Sequence, residues 1–220
     1  MKRTLITTSD GSHTLYIPEW DETYHSRYGA VQESYHVFIQ NGLYLFENEK
    51  VAILEIGFGT GLNTLLTYKE HAHRNLQIDC IAVEAYPVAP DEVAMMNYAS
   101  KLQEVDLQYV YQQMHTAAWE KEIRLSETFT LTKRKQFFEE IDDENAYDLI
   151  YFDAFGAEVQ PELWTEAMFQ KMYKALKNRG VLVTYAAKGS VRRAMLSCGF
   201  RVERLPGPPG KREMLRATKP

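Results

Sequence analysis

The run Glu55-Ile56-Gly57-Phe58-Gly59-Thr60-Gly61 has the residue types and spacing that point most directly to chemistry. It lies where a buried strand turns into a helix, and glycines there let the backbone approach a bound nucleotide and take torsions that a Cβ forbids. Spacing narrows the ligand. A dinucleotide loop needs Gly-x-Gly-x-x-Gly, and the position that would complete it is Leu62. No Gly-Lys-Ser/Thr follows either, which excludes a P-loop. A second apolar run ends Ala82-Val83-Glu84-Ala85, about 23 residues past the glycines. A carboxylate at that place can accept both ribose hydroxyl protons, whereas alone it would cap the next helix. With the glycine loop beside it, the ribose role is the better reading.

The observed Gly-x-Gly-x-Gly, with an acid two residues ahead, is the form that meets the amino-acid end of S-adenosylmethionine, whose ammonium and carboxylate need other partners than a pyrophosphate. Glu55, Gly57, Phe58, Gly59, Thr60, Gly61, Asn63 and Glu84 are the candidate cofactor contacts. A later strand delivers Tyr151-Phe152-Asp153-Ala154-Phe155-Gly156, then Pro161 and Trp164. Ligands of open α/β sheets sit outside the carboxyl ends of the strands, where Asp153 falls, so it is a candidate both for the cofactor and for catalysis. An alkyl amine acceptor is mostly protonated at neutrality, given a reference value of ~10.4 for lysine. Asp153 can orient such an ammonium and help remove its proton, and Phe155 or Trp164 can offer a ring face to the cation. The plainer alternatives are that Asp153 caps the following segment and that Trp164 is core.

The elements that must position these residues read as strands alternating with helices, an α/β pattern. Continuous apolar runs at Val51–Ile56, Ile78–Val83, Tyr147–Phe152 and Val181–Tyr185 predict parallel strands buried on both faces. Helical spacing is expected near Leu62–Tyr68, Val93–Leu102, Gln136–Ile141 and Glu162–Leu176, the last stopped by Gly180. Glu122–Leu125 and Phe129–Lys133 read as a strand pair within an otherwise unplaced region. Phe200–Leu205 and Arg212–Ala217 bracket a Pro/Gly turn and predict an antiparallel edge. Ahead of the core, Thr4–Ser9 and Thr14–Ile17 suggest a hairpin, Trp20 to Tyr28 is polar and aromatic-rich, and Ala30–Gln40 has helical spacing. The expected fold is therefore Rossmann-like and doubly wound. Residues 1–50 form a small N-terminal extension packed on the core, and residues 51–220 form one compact unit.

The chain has 220 residues, a net charge of −5 and two cysteines, so a single domain without a disulfide framework is expected, with Cys80 and Cys198 as packing residues. No apolar run approaches the ~20 residues needed to cross a bilayer, and the first residues do not read as a secretory signal, so a cytoplasmic protein without membrane attachment is expected. The charge is unevenly spread. Met168–Pro220 carries 13 basic and 2 acidic residues, against 12 and 28 in the rest. A basic stretch can be simple solvated surface, but such segregation favours a polyanion partner.

From Glu55–Asn63, through Asp153-Ala154-Phe155 with Pro161 and Trp164, to Val191-Arg192-Arg193, Gly199-Phe200 and Gly210–Leu215, the chain resembles the MnmC-type tRNA (5-methylaminomethyl-2-thiouridine) methyltransferases. Tyr28–Phe38 is similar to that family's N-terminal signature, so the resemblance covers nearly the whole chain. It implies transfer of a methyl group from S-adenosylmethionine to the aminomethyl group on C5 of the wobble uridine of tRNA. Bifunctional members carry an FAD-dependent domain that prepares the amine. No such domain fits here, which implies a stand-alone methyltransferase dependent on separate enzymes for its substrate. The resemblance also sets Lys188, Arg192, Arg193, Lys211 and Arg212 near the site, and the charge count makes them candidate phosphate contacts. One departure is Thr132-Lys133-Arg134-Lys135, where members often show Gly-Asp; no acidic contact to the adenine carries over, and the lysines face RNA or form a solvated turn.

Glu33 and His36, one helical turn apart, line the substrate entrance or form a local polar pair. His71 and His73 have no third ligand nearby and read as exposed surface, so no metal is expected. Two rival functions share the fold: a polyamine-synthase-like aminopropyltransferase, which would want an acidic pocket, and a non-catalytic RNA-binding protein.

Overall fold

The computed structural model describes residues 2–220. A three-stranded N-terminal sheet comes first, from β1 (Thr4–Thr7), β2 (His13–Ile17) and β3 (Glu22–Thr23), in antiparallel order. Helix α1 (Ala30–Ser34) then runs into a wider π-helical stretch at Tyr35–Gln40. The expected hairpin and helix are both present. Asp10, Thr8 and Ser12 hold the start of α1, accepting from the backbone N–H groups of Gln32 and Ala30. That clamp fixes the helix that carries Glu33.

The main sheet begins at β4 (Lys50–Ile56), followed by α2 (Leu62–His71), β5 (Gln77–Val83), and the short helices α3 (Pro90–Ala94) and α4 (Tyr98–Leu102). Helix α5 (Val105–Thr116) precedes the strand pair β6 (Glu122–Ser126) and β7 (Phe129–Arg134). Then come β8 (Tyr147–Phe152), α6 (Glu166–Ala175), β9 (Leu176–Thr184), α7 (Gly189–Ser197), β10 (Arg201–Pro206) and β11 (Glu213–Thr218). The sheet order is β10-β11-β9-β8-β4-β5-β7-β6, with β4, β5, β7, β8 and β9 parallel and both edges antiparallel. The winding reverses between β4 and β8, so their carboxyl ends form the crevice in which such sheets bind ligands.

Four expectations are corrected. Val93–Leu102 is two helices rather than one, with Asn97 as the cap of α4. Gln136–Ile141 forms only a 3₁₀ turn at Phe138–Glu140. The helix expected over Glu162–Leu176 is broken at Thr165, whose extended backbone and hydroxyl cap α6, and β9 already starts at Leu176, so Gly180 lies inside a strand. His71 is buried rather than exposed, its Nδ1 bonded to the Tyr68 carbonyl and its Nε2 to the Thr128 hydroxyl.

Two apolar layers cover the sheet. One joins Leu15, Ala30, Val37, Phe38 and Ile39 of the N-terminal segment to Ile53, Leu65 and Leu66. The other packs Leu54, Ile56, Phe152, Trp164, Phe169 and Met195. Residues 30–39 thus supply a helical cover for the same sheet that the later elements build. Cys80 and Cys198 are buried and free, as expected for packing residues. Among the described residues no helix is long and apolar enough to cross a membrane.

Candidate active site

The glycine loop is wedged between the ends of β5 and β8. The N–H groups of Gly57 and Phe58 both donate to the Val83 carbonyl at 3.0 Å, and Asp153 N–H donates to the Ile56 carbonyl at 3.0 Å. Gly57 has φ +91°, and a Cβ there would lie 2.8 Å from the Asp153 carbonyl oxygen. Gly59, at φ +48°, donates its N–H to Glu84 Oε2 at 3.0 Å, while Glu84 Oε1 accepts from Tyr86 N–H at 2.9 Å. Glu84 therefore stands beside the loop with both oxygens oriented by backbone. Thr60 anchors it from below: its hydroxyl bonds Tyr98 at 3.0 Å and its carbonyl accepts from the Tyr111 hydroxyl at 2.9 Å. The Phe58 ring packs on His115 and Trp119.

Some cofactor candidates sit beneath the cleft rather than in it. Gly61 caps α2 at φ +76°, and its α-carbon faces His115 and the Phe58 ring. Glu55 is fully buried, accepts from the Thr64 hydroxyl and does not line the cleft. Burial is the main cause that pushes its carboxyl up to about 8, so it holds a proton at neutrality. A tenfold change in proton affinity is worth about 1.4 kcal/mol. The sign follows from linkage: between about 4.5 and about 8 the unfolded chain releases a proton that the folded chain keeps, so stability falls as pH rises. In ligand-free protein, Glu55→Gln is therefore expected to unfold at a higher temperature than wild type by a gap that widens from pH 5 to pH 8. A gap that does not change with pH removes the buried proton from the account.

Asp153 lines a cleft of about 430 Å³. Asn63 Nδ2 donates to its Oδ2 at 2.8 Å. Burial raises its carboxyl to about 7, the Asn63 bond opposes that, and the Glu33 charge adds to it. Glu33 Oε1 accepts from Lys211 Nζ at 2.6 Å, and its Oε2 accepts from Ser26 N–H at 2.7 Å. The Lys211 ammonium also lies 3.7 Å from the centre of the Tyr185 ring, whose hydroxyl donates to the Ala154 carbonyl. Phe155 lines the same cleft with Tyr24 and Trp20 edge-on to it, at 5.0 and 5.5 Å.

The remaining candidates are placed elsewhere. Trp164 is core: it is buried against Phe152 and Phe169, and its indole N–H donates to the Phe155 carbonyl at 2.7 Å, so it supports Phe155 from behind and offers no face to a ligand. His36 bonds the Pro206 carbonyl through Nε2 and does not line the cleft. Lys188, paired with Glu158 at 2.7 Å, and Arg212 line a neighbouring cleft. Arg192 and Arg193 are on α7, outside both. Lys133 faces neither RNA nor a solvated turn. It is 1% exposed, donates to the His115 carbonyl and lies over the Trp119 ring, and burial lowers its ammonium to about 8.

Sequence reasoning missed the strap Glu22–Ser26, which supplies five consecutive residues to the cleft wall. Tyr24 packs on Gly59, and His25 is held neutral by burial, at about 4. The aromatic-rich composition between Trp20 and Tyr28 was the signal. Tyr185, and the exposed pair Tyr86 and Phe137 at the far end, were also missed.

The lining charges decide what class of ligand fits. Glu22, Glu33, Glu84, Glu139, Asp153 and Glu162 face one cation, Lys211. Such a lining repels a pyrophosphate and suits a cationic group such as a sulfonium, with Tyr24, Phe155 and Tyr185 as ring faces. Asn63 Oδ1 is buried without a donor among the described residues, an acceptor suited to an ammonium. The family model described as S-adenosyl-L-methionine-dependent methyltransferase matches residues 95–220. The chain belongs to that family. The methyltransferase is 30% identical to the tRNA 5-methylaminomethyl-2-thiouridine biosynthesis bifunctional protein MnmC of Cupriavidus metallidurans, over 95% of this chain and 33% of that protein. The protein of the same name from Actinobacillus pleuropneumoniae is 26% identical over 96% of this chain and 34% of its own length. The methyltransferase thus spans about a third of the length of the curated relatives it matches. In fold it is similar to MNMC2 from Aquifex aeolicus, with a TM-score of 0.80 and 24% identity over 100% of this chain and 71% of that one. It is also similar to spermidine synthase from Thermotoga maritima, at 0.57 and 16%, over 100% and 72%.

Proposed function

We propose that the chain methylates the 5-aminomethyl group of the wobble uridine of tRNA, giving the 5-methylaminomethyl product. The observation that carries this reading is Asp153: a carboxylate tied to Asn63, raised to about 7, in an acidic cleft at the switch point of the sheet. When bound, S-adenosylmethionine supplies an electrophilic methyl group. The backbone of Gly57 to Gly59 and Asn63 would hold its amino-acid end, Glu84 its ribose, and Tyr86 with Phe137 would flank its adenine. Asp153 accepts the proton of the substrate ammonium and so frees the nitrogen lone pair. Glu33 compensates the substrate cation, and Phe155, braced by Trp164, presents a ring face to it. The basic surface that includes Lys188, Arg192, Arg193, Lys211 and Arg212 supplies phosphate contacts. The primary amine consumed here must be formed on the uridine by an earlier reaction.

The test is direct. tRNA whose wobble uridine carries the aminomethyl group without its methyl, incubated with labelled S-adenosylmethionine and digested to nucleosides, should show one methyl group added to that uridine. Label in another nucleoside, or none, rejects the substrate. The six lining carboxylates also suit a polycation, the substrate class of an aminopropyltransferase. Product formed from decarboxylated S-adenosylmethionine and a diamine would favour that reading instead.

A further inference from the structure

A second cleft, of about 640 Å³, opens beside the first and shares Glu22, Gly156, Tyr185 and Lys211 with it. Its lining is no longer dominated by acids. Lys188, Arg204, Lys211 and Arg212 face Glu22, Glu158 and Glu213. Three of those cations are engaged, Lys188 with Glu158 at 2.7 Å, Arg204 with Glu213 at 3.7 Å and Lys211 with Glu33 of the first cleft at 2.6 Å. Arg212, exposed at the end of the β10–β11 turn directly before β11, makes no ion pair among the described residues.

Across Lys211 the lining goes from six carboxylates with one cation to four cations with three carboxylates, and the cation of the second cleft left outside any ion pair among the described residues is Arg212. A ligand lying through both clefts is matched best if it is cationic at one end and anionic at the other. A nucleotide with an aminoalkyl group on its base has that polarity: an ammonium on the base and a phosphodiester on the ribose. We propose that the second cleft seats a phosphodiester next to the target uridine, with Arg212 as its main contact. The assignment rests on the tRNA reading above. It adds that recognition of the target nucleotide includes one particular backbone phosphate, in contrast to a diffuse attraction spread over the basic surface.

The experiment uses an anticodon stem-loop RNA with the aminomethyl uridine, and two versions in which the phosphate on one or the other side of that uridine is an uncharged methylphosphonate. Binding to the full chain is read by fluorescence anisotropy. One of the two neutral linkages should weaken binding to wild type about tenfold, the worth of a charged hydrogen bond. In Arg212→Gln, native and neutralised RNA should bind alike. Because Arg212 is exposed, the variant should keep the wild-type melting temperature, and Arg212→Lys should recover part of the sensitivity. A wild type indifferent to both linkages, a variant that keeps the full tenfold effect, or an RNA that does not bind overturns the proposal. Methyl transfer is followed in the same samples. Methylation without phosphate sensitivity rejects the cleft assignment alone, whereas phosphate sensitivity without methylation rejects the reaction alone.

Discussion

Asp153→Asn should lower turnover by about 10²- to 10⁴-fold, the usual worth of a positioned general base. Affinity for S-adenosylmethionine, read by calorimetry, should change little. The substitution is nearly isosteric, and Asn63 Nδ2 can still donate to the new amide oxygen, so the cleft keeps its shape while losing its proton acceptor. The pH profile separates chemistry from structure. Asp153 must be ionised to accept a proton, and its carboxyl sits at about 7, so wild-type activity should rise with pH through that value and level off above it. The variant should lose this limb and keep only the slower rise set by the substrate amine. If the variant turns over normally, or loses cofactor binding in step with turnover, Asp153 is not the base.

Gly57→Ala should produce the second large effect, on the cofactor side. Gly57 combines a φ of +91° with a site where the new methyl would lie 2.8 Å from the Asp153 backbone oxygen. The backbone at Asp153 has no room to retreat, because its N–H is bonded to Ile56 across the β4–β8 pair. A strained torsion of this kind costs about 1–3 kcal/mol, and the clash pushes apart the two strand ends that form the crevice. Calorimetry should show cofactor affinity reduced by about tenfold or more, with a lower melting temperature. Wild-type affinity in this variant would mean that the loop does not need the torsion seen here.

Much of the sheet was legible because its central strands are buried on both faces. Val51–Ile56, Ile78–Val83, Tyr147–Phe152 and Val181–Tyr185 are short, predominantly apolar runs, the first three holding one acid each. The loop and Glu84 were legible because their roles need particular residue types at a fixed distance. The strap Glu22–Ser26 was not, because it holds its place through contacts that no local periodicity encodes: Tyr24 on Gly59, Ser26 on Glu33 and His25 on Thr14. Trp164 was left between core and site, and Lys133 was misplaced, for a related reason. Residue type sets what a side chain can do, but only packing sets which way it faces.

The sequence by itself determined the winding, the loop, the strand-end carboxylate and the segregation of charge, since each is written in local pattern or in composition. Tertiary structure decided the ionisation and the company of those groups. It buries Glu55 until it keeps its proton and raises Asp153 to about 7, and it brings Glu33, Lys211 and Tyr185 together from segments 178 residues apart. The physical reason is that desolvation and charge pairing depend on distance in space, and no spacing along a chain encodes that distance.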